Sequence, residues 1–591
     1  MADNLGPEVG PVQLHTTDFP VPTIAYFSME IAIDPAMPTY SGGLGMLAGD
    51  TVRAAADMGV PMVAVTLLHR KGYFRQRLAQ DGMQVEEDDP WDPTGVLELL
   101  GPTVTVPIQG RPVLVRAWRT LVRGVEGHSV PVVLLDTSDE SNTEWDRQLT
   151  DHLYGGDILY RLCQETVLGA GGVRILDALG HSIAVYHMNE GHSALLTLGL
   201  LEDQVRGRGL LSATEEDAQA VRQRCVFTTH TPVPAGHDRF SMDMARQVLG
   251  DERVAVLERF GCCPEGTLNM TYVALHFSRY INGVAMQHGK VSQQMFPGWP
   301  VQAITNGVHA ATWASPAMQA LLDERVPAWR RDNMYLRHVI GVPANEIATR
   351  HQESKRALLQ EVHRRTGIAL REDLFTIGFA RRAAAYKRAM LLFSDPERLL
   401  RIAGEHGGLQ VLYGGKAHPH DEHGKRLIHD VIETAGRMRS NALQIIYLEN
   451  YGWEMGALMT SGVDLWLNTP RRPYEASGTS GMKAALNGVP SLSTLDGWWV
   501  EGCIEGATGW SIMETEDEEM EAESLYEKLE AEILPLYYHC PEKWQQIMRM
   551  TLAVNGCYFN TQRMLRQYIT HAYLPGTASG QTVERPEFAM V

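Results

Sequence analysis

From about residue 374 onward the chain repeats one unit: a short apolar run, a polar or glycine cluster, then a segment of helical period. The apolar runs are 374–380, 409–413, 443–448 and 463–468, and helical periodicity spans 385–401 and 423–437. Short strands alternating with helices predict an α/β fold, a parallel sheet covered on both faces. Each run closes on a cluster: Arg381-Arg382, Gly414-Gly415-Lys416, Glu449-Asn450-Tyr451, and 470–481. Open parallel sheets hold ligands beyond the carboxyl ends of their strands, so these clusters are expected around one crevice.

The first half has the same grammar with longer insertions. Its strands are expected at 24–27, 60–68, 182–187 and 225–229, and alternating valines over 103–135 predict an antiparallel insertion. A chain of 591 residues is too long for one core, so two large domains are expected. The division is placed after Phe296-Pro-Gly-Trp-Pro300, giving units 1–305 and 306–575 and a polar, disordered tail over 576–591.

The formal charge of −19 argues against nucleic acid or an anionic membrane as partner. The start of the sequence shows neither a basic n-region nor an apolar h-region, and the seven scattered cysteines suit a reducing compartment, so a cytoplasmic location is expected. Against that acidic background, Arg381, Arg382, Lys387, Arg388, Lys416, Arg471, Arg472 and Lys483 gather near strand ends, as if to hold an anion. The cluster His418, His420, Asp421 and His423 matches no standard zinc spacing and is expected to be a polar loop, with no metal.

The segment Glu475-Ala-Ser-Gly-Thr-Ser-Gly-Met-Lys483 follows the last apolar run and opens a helix expected from about Met482. A strand, a small-residue turn and a helix N-terminus aim free N–H groups and a positive dipole end at one spot, an anion cradle. The Lys483 amine beside it can form a Schiff base with a carbonyl cofactor. Cradle and lysine together suggest pyridoxal 5′-phosphate. Lys387 and Arg388 are expected in the opening turn of the 385–401 helix, where the dipole makes each cation unfavourable by roughly 0.3–1 kcal/mol unless an anion is bound.

The run from Tyr474 through Lys483 to Gly497 resembles the cofactor segment of the α-glucan (glycogen, starch, maltodextrin) phosphorylases. Five or six further motifs follow in that family's order, from about Ile24 to Tyr573. The resemblance implies that Lys483 carries the cofactor, with Thr479, Ser480, Gly481, Tyr451, Trp313 and Arg381 around it. In Phe379-Ala-Arg-Arg-Ala-Ala-Ala-Tyr-Lys-Arg388 it assigns the substrate phosphate to Arg382 and Lys387, and position 381 departs from the usual lysine. Thr39-Tyr-Ser-Gly-Gly-Leu-Gly45 matches the glycine loop, so Gly42, Gly43 and Leu44 would cap that phosphate. His230, Asn306, Glu475, Ser477, Gly478, Glu190 and His192 inherit the sugar side. Gly452 stands where the family often has arginine.

The implied fold is GT-B, two Rossmann-like domains facing across a deep catalytic cleft, in the compact prokaryotic form without the animal enzymes' regulatory extension. The implied reaction is phosphorolysis of a terminal α-1,4-linked glucose, releasing α-D-glucose 1-phosphate with retention. Catalysis would rest on Lys483, Arg382, Lys387 and His230. The partners are an α-1,4-glucan, inorganic phosphate and, as the family is commonly dimeric, a second copy. Two other readings stand beside it: a GT-B nucleotide-sugar glucosyltransferase, and a glucan-binding protein without turnover.

Overall fold

The computed structural model describes residues 21–233 and 236–574. The tail expected to be disordered lies outside them. Nine strands form the first sheet: β1 (Ile24–Ser28), β2 (Met62–Leu67), β5 (Glu98–Ile108), β6 (Arg111–Arg123), β7 (Ser129–Asp136), β8 (Val185–Asn189), β9 (Cys225–Thr228), β12 (Tyr280–Gly283) and β13 (Val301–Ala303). Two antiparallel pairs lie apart from it, β3 (Arg75–Leu78) with β4 (Gln84–Glu87) and β10 (Arg239–Ser241) with β11 (Thr267–Asn269).

The order β13-β12-β9-β8-β1-β2-β7-β6-β5 is parallel from β13 to β7. The valine-rich stretch expected as an insertion continues that sheet as the antiparallel strands β5 to β7. The chain leaves β1 for β2 on one side and later places β8 on the other. Strand order therefore reverses at β1, where doubly wound sheets bind their ligands.

The second sheet is entirely parallel: β14 (Phe375–Ala380), β15 (Leu409–Gly414), β16 (Leu443–Leu448), β17 (Leu465–Asn468), β18 (Ser491–Thr494) and β19 (Gly509–Ile512). Its order, β16-β15-β14-β17-β18-β19, places the reversal between β14 and β17. Those two strands lead into Arg381 and into the Glu475–Lys483 segment. Their side chains are buried throughout, as a sheet covered on both faces requires.

The expected helix over 385–401 does not form as one element. The backbone makes a 3₁₀ turn at Ala385–Lys387, enters the left-handed region at Arg388 (φ 49°), turns again at Leu391–Phe393, and becomes α-helical only over Pro396–Glu405. The buried Arg388 guanidinium explains this: it pairs with Glu521 and donates to the carbonyls of Thr469 and Pro470. Breaking a buried pair costs about 3–5 kcal/mol. Helix propensity over a few residues is worth less than that. The helix after the glycine-rich turn also starts earlier than expected, at Thr479 instead of Met482.

Two features join the sheets. The β3–β4 pair reaches the carboxyl ends of β15 and β16: Gln76 Nε2 donates to the Gly415 carbonyl (2.9 Å), and Gln84 bonds both the N–H and the carbonyl of Ala417 (2.9 and 3.0 Å). The late helix Thr561–Tyr568 returns to the first sheet, where Leu565, Tyr568 and Tyr573 pack with Ile24, Tyr26 and Val226. His187 of β8 bonds the Tyr573 hydroxyl at 2.7 Å. Among the described residues no helix is long and apolar enough to cross a membrane.

Candidate active site

Strand β17 ends at Asn468, and the chain then runs through a turn to Gly478, which sits in the left-handed conformation (φ 87°) and caps the helix Thr479–Ala485. No side chain caps that helix, so the first-turn N–H groups of Thr479, Ser480 and Gly481 have no intrahelical acceptor. A Cβ on Gly481 would lie 2.7 Å from Trp498, so the turn can take this shape only with glycine there. Ser480 Oγ accepts from Trp466 Nε1 at 3.2 Å.

Lys483 is buried in the second turn, with its amine 3.5 Å from the centroid of the Trp313 ring. Burial lowers its pKa from 10.5 to about 8, and the nearby Asp50 carboxylate opposes that shift. About a tenth of such an amine is neutral at pH 7, against well under a thousandth for an ordinary lysine. Neutral amine is what a carbonyl group requires. Asn487 Nδ2 donates to the carbonyls of both Trp313 and Lys483, which fixes lysine and ring in register.

Two of the expected anion-site residues meet at one carboxylate. Glu475 Oε2 accepts from Arg381 Nη2 at 2.7 Å and pairs with Lys387 Nζ. Burial alone would raise the Glu475 pKa, but Arg381 and Lys387 outweigh it and hold the group ionised. Lys387 therefore lies on a 3₁₀ turn facing a carboxylate, and the dipole argument made for it is replaced by this contact. Among the described residues, Arg381 Nη1 and Ser477 Oγ are buried without hydrogen-bond partners. Arg382 is exposed, and among the described residues it makes no hydrogen bond or ion pair. Its charge is felt by Tyr73 and His418. Tyr451 packs against Gly414 and lies within electrostatic reach of Arg381.

Beyond β1, the helix Gly43–Asp57 starts with Gly42 as its cap and no side-chain cap bond. Glu30 Oε2 accepts from the Ser41 and Gly42 N–H groups (2.6 and 3.2 Å), while those of Gly43 and Leu44, in the first helical turn, have no intrahelical acceptor. The Tyr40 hydroxyl accepts from Trp453 N at 3.1 Å, so the glycine loop touches the strand-end segment of the second sheet. At Gly452 that hydroxyl lies 3.5 Å from where a Cβ would begin.

The sugar-side residues divide. His230 donates its backbone N–H to Glu190 Oε2 (2.7 Å), and its ring bonds Asn189 (2.7 Å); burial lowers its pKa to about 3, so it stays neutral. Glu190 also accepts from Gly191 N and Thr231 Oγ1, so its carboxylate is occupied in bracing the loop. His192 turns instead to Asp238 (3.3 Å) and Tyr154. Asn306 is buried with Oδ1 unpartnered, while Arg563 holds its carbonyl. Asp421 caps the helix Glu422–Met438, which gives the His418–His423 loop a structural role.

Sequence reasoning missed Asp50, Glu30, Trp453 and Asp496. Asp496 accepts from Glu475 N at 2.8 Å and thus sets where that carboxylate starts. Each is a single acid or aromatic that no local pattern marks out, and only the tertiary arrangement brings it to the site.

The Carbohydrate phosphorylase family model matches residues 233–551. The maltodextrin phosphorylase of Thermococcus litoralis is 38% identical, over 96% of this chain and 72% of its own. The glycogen phosphorylase of Mycobacterium tuberculosis is 36% identical over the same shares, and that of Aquifex aeolicus 32% identical over 93% of this chain and 86% of its own. With a buried lysine on an aromatic face, Arg381 and Lys387 paired on Glu475 of the same segment, and relatives aligned along nearly its whole length, the chain belongs to the carbohydrate phosphorylase family.

Proposed function

We propose that the protein is an α-glucan phosphorylase, cleaving terminal α-1,4-linked glucose from glycogen, starch or maltodextrin with inorganic phosphate and releasing α-D-glucose 1-phosphate with retention. The observation that carries this reading is the Lys483 amine: buried, lowered to about 8, and held over Trp313 beside an uncapped helix N-terminus.

Pyridoxal 5′-phosphate fits these residues. Lys483 offers a partly neutral amine, Trp313 an aromatic wall, and the first-turn N–H groups of Thr479, Ser480 and Gly481 a cradle for its phosphate. The unpartnered Arg381 Nη1 adds a charged donor. When bound, the cofactor supplies a phosphate able to exchange a proton with the substrate phosphate. The chain's own residues make that proximity tolerable. Two phosphates in contact repel by several kcal/mol in a poorly solvated cleft, and Arg381, Arg382 and Lys387 offset this together with the Gly43 and Leu44 N–H groups. Asn306 Oδ1, Ser477 Oγ and the Gly478 turn would meet the sugar hydroxyls, with Glu475 and the His230 carbonyl favouring positive charge at the anomeric carbon.

The arrangement proposed is GT-B, with units 1–305 and 306–575 facing across a cleft that excludes water, and the helix Thr561–Tyr568 crossing back to the first. Two doubly wound strand orders and the contacts between their carboxyl ends support it. The proposed setting is cytoplasmic, with a homodimer as the assembled form.

The decisive experiment measures glucose 1-phosphate released from maltodextrin and phosphate, with and without added pyridoxal 5′-phosphate. Release that requires phosphate, and is lost in Lys483→Ala, supports the assignment. Glucosyl transfer from a nucleotide sugar without cofactor would overturn it.

A further inference from the structure

The helix that begins at the glycine loop sends two acids to the wall of the lysine pocket. Asp50 Oδ2 accepts from Trp313 Nε1 at 2.7 Å and from His309 N at 3.1 Å, and Asp57 Oδ2 lies 2.8 Å from His309 Nε2. Asp50 is 1% exposed, and its Oδ1 has no hydrogen-bond partner among the described residues. Arg53 Nη1 is 3.6 Å away, but Nη2 of the same guanidinium serves the Ala32 and Ile33 carbonyls. The rest of that guanidinium lies over Trp453, which stacks on Trp313 at 6.1 Å and 27°.

A neutral side chain could satisfy the indole N–H equally well. A buried carboxylate with one bare oxygen is costly unless charge nearby compensates it. Arg53 supplies part of that compensation across 3.6 Å, and the ring offers a second route. An indole N–H donated to a carboxylate polarises the π-system and makes its face more negative, and the Lys483 amine sits on that face. The charged and titratable groups facing this arrangement are Asp50 and Arg53 from the glycine-loop helix and His309 from the segment ahead of Trp313, the last held by Asp57.

We propose that Asp50 is the positioning residue of the lysine pocket, acting through Trp313 to fix the aromatic wall and stabilise the charged form of the Lys483 amine. The proposal deepens the cofactor reading, but its first readout does not need that reading.

The full-length protein, freed of carbonyl ligands with hydroxylamine, is labelled with acetic anhydride across pH, and the Lys483 peptide is followed by mass spectrometry. Wild-type labelling is expected to have its midpoint near pH 8. In Asp50→Asn, which keeps an acceptor for the indole, the midpoint is expected to fall by about half a unit or more, and Asp50→Glu to restore it. Equal midpoints in Asp50→Asn and wild type overturn the proposal. Should Asp50→Asn not fold, Trp313→Phe keeps the ring, removes the N–H donor, and is expected to shift the midpoint the same way; no shift there overturns it too. The second readout is affinity for pyridoxal 5′-phosphate, expected to weaken about tenfold in Asp50→Asn. If the wild type takes up none, the cofactor reading fails while the labelling result still decides the role of Asp50.

Discussion

Glu475 holds Lys387: one buried carboxylate oxygen serves that amine and Arg381 together, so two of the cations proposed for the phosphates already have an anion. A sugar hydroxyl drawing on the same carboxylate would loosen its grip on both cations. Glu475→Gln removes the internal anion and keeps the shape. Inorganic phosphate is expected to bind the glucan-free variant about tenfold more tightly than wild type, while turnover falls at least tenfold. Calorimetric titration with phosphate checks this; weaker binding would show that Glu475 does not compete for the site.

Gly415 couples strand ends. Its φ of 143° suits glycine alone, and a Cβ there would lie 1.8 Å from the Arg381 carbonyl. Gly415→Ala is expected to push β14 and β15 apart at the site and to raise KM for phosphate at least tenfold. Stability should fall by about 1–3 kcal/mol. Steady-state kinetics with a denaturant titration would separate the two effects.

Away from the site, Lys355 and Asp464 form a buried pair at 2.6 Å, with 0% and 1% of their side chains exposed. Lys355 also donates to the Leu374 carbonyl and to the Tyr537 hydroxyl. Lys355→Met is expected to cost about 3–5 kcal/mol, because Asp464 is left charged and buried. Burial would raise the Asp464 pKa, but Lys355 and His351 hold it low. The pair's contribution is thus complete above the ordinary carboxylate range and disappears as pH falls through the lowered value. Urea melts across pH, wild type against variant, test both statements.

Asp496 has the opposite sign. Burial raises its pKa from 3.8 to about 6, although the N–H groups of Glu475 and Gly497 oppose the shift. Its unfolded form loses a proton near pH 4. Its contribution is therefore full below that pH and lost as pH rises to about 6, a change of about 1–3 kcal/mol. Asp496→Asn should abolish this component: relative to wild type, the variant gains stability between pH 4 and 6. A difference in melting temperature that stays flat across that window would refute the assignment.

The eight expected strands all appear, because largely apolar runs of this length have few alternatives in a sheet. The turn before Lys483 was legible for the same reason, as glycine spacing dictates backbone shape. The 385–401 helix misled because its periodicity is real but its arginine is anchored elsewhere, in carbonyls 81 and 82 residues away. Asp50 and Asp496 were invisible because burial of one carboxylate is set by residues distant in sequence. Glu190 and His192 stand in the expected loop, where the Glu190 carboxylate accepts from Gly191, His230 and Thr231 and the His192 ring lies against Asp238.

The helix Thr561–Tyr568 completes the core of a sheet whose first strand begins at Ile24. During synthesis, that first strand must wait with an apolar face uncovered until more than five hundred further residues have been made. Chaperone dependence, and aggregation of nascent fragments that stop short of residue 561, are the natural costs of tying the earliest strand to so late a helix.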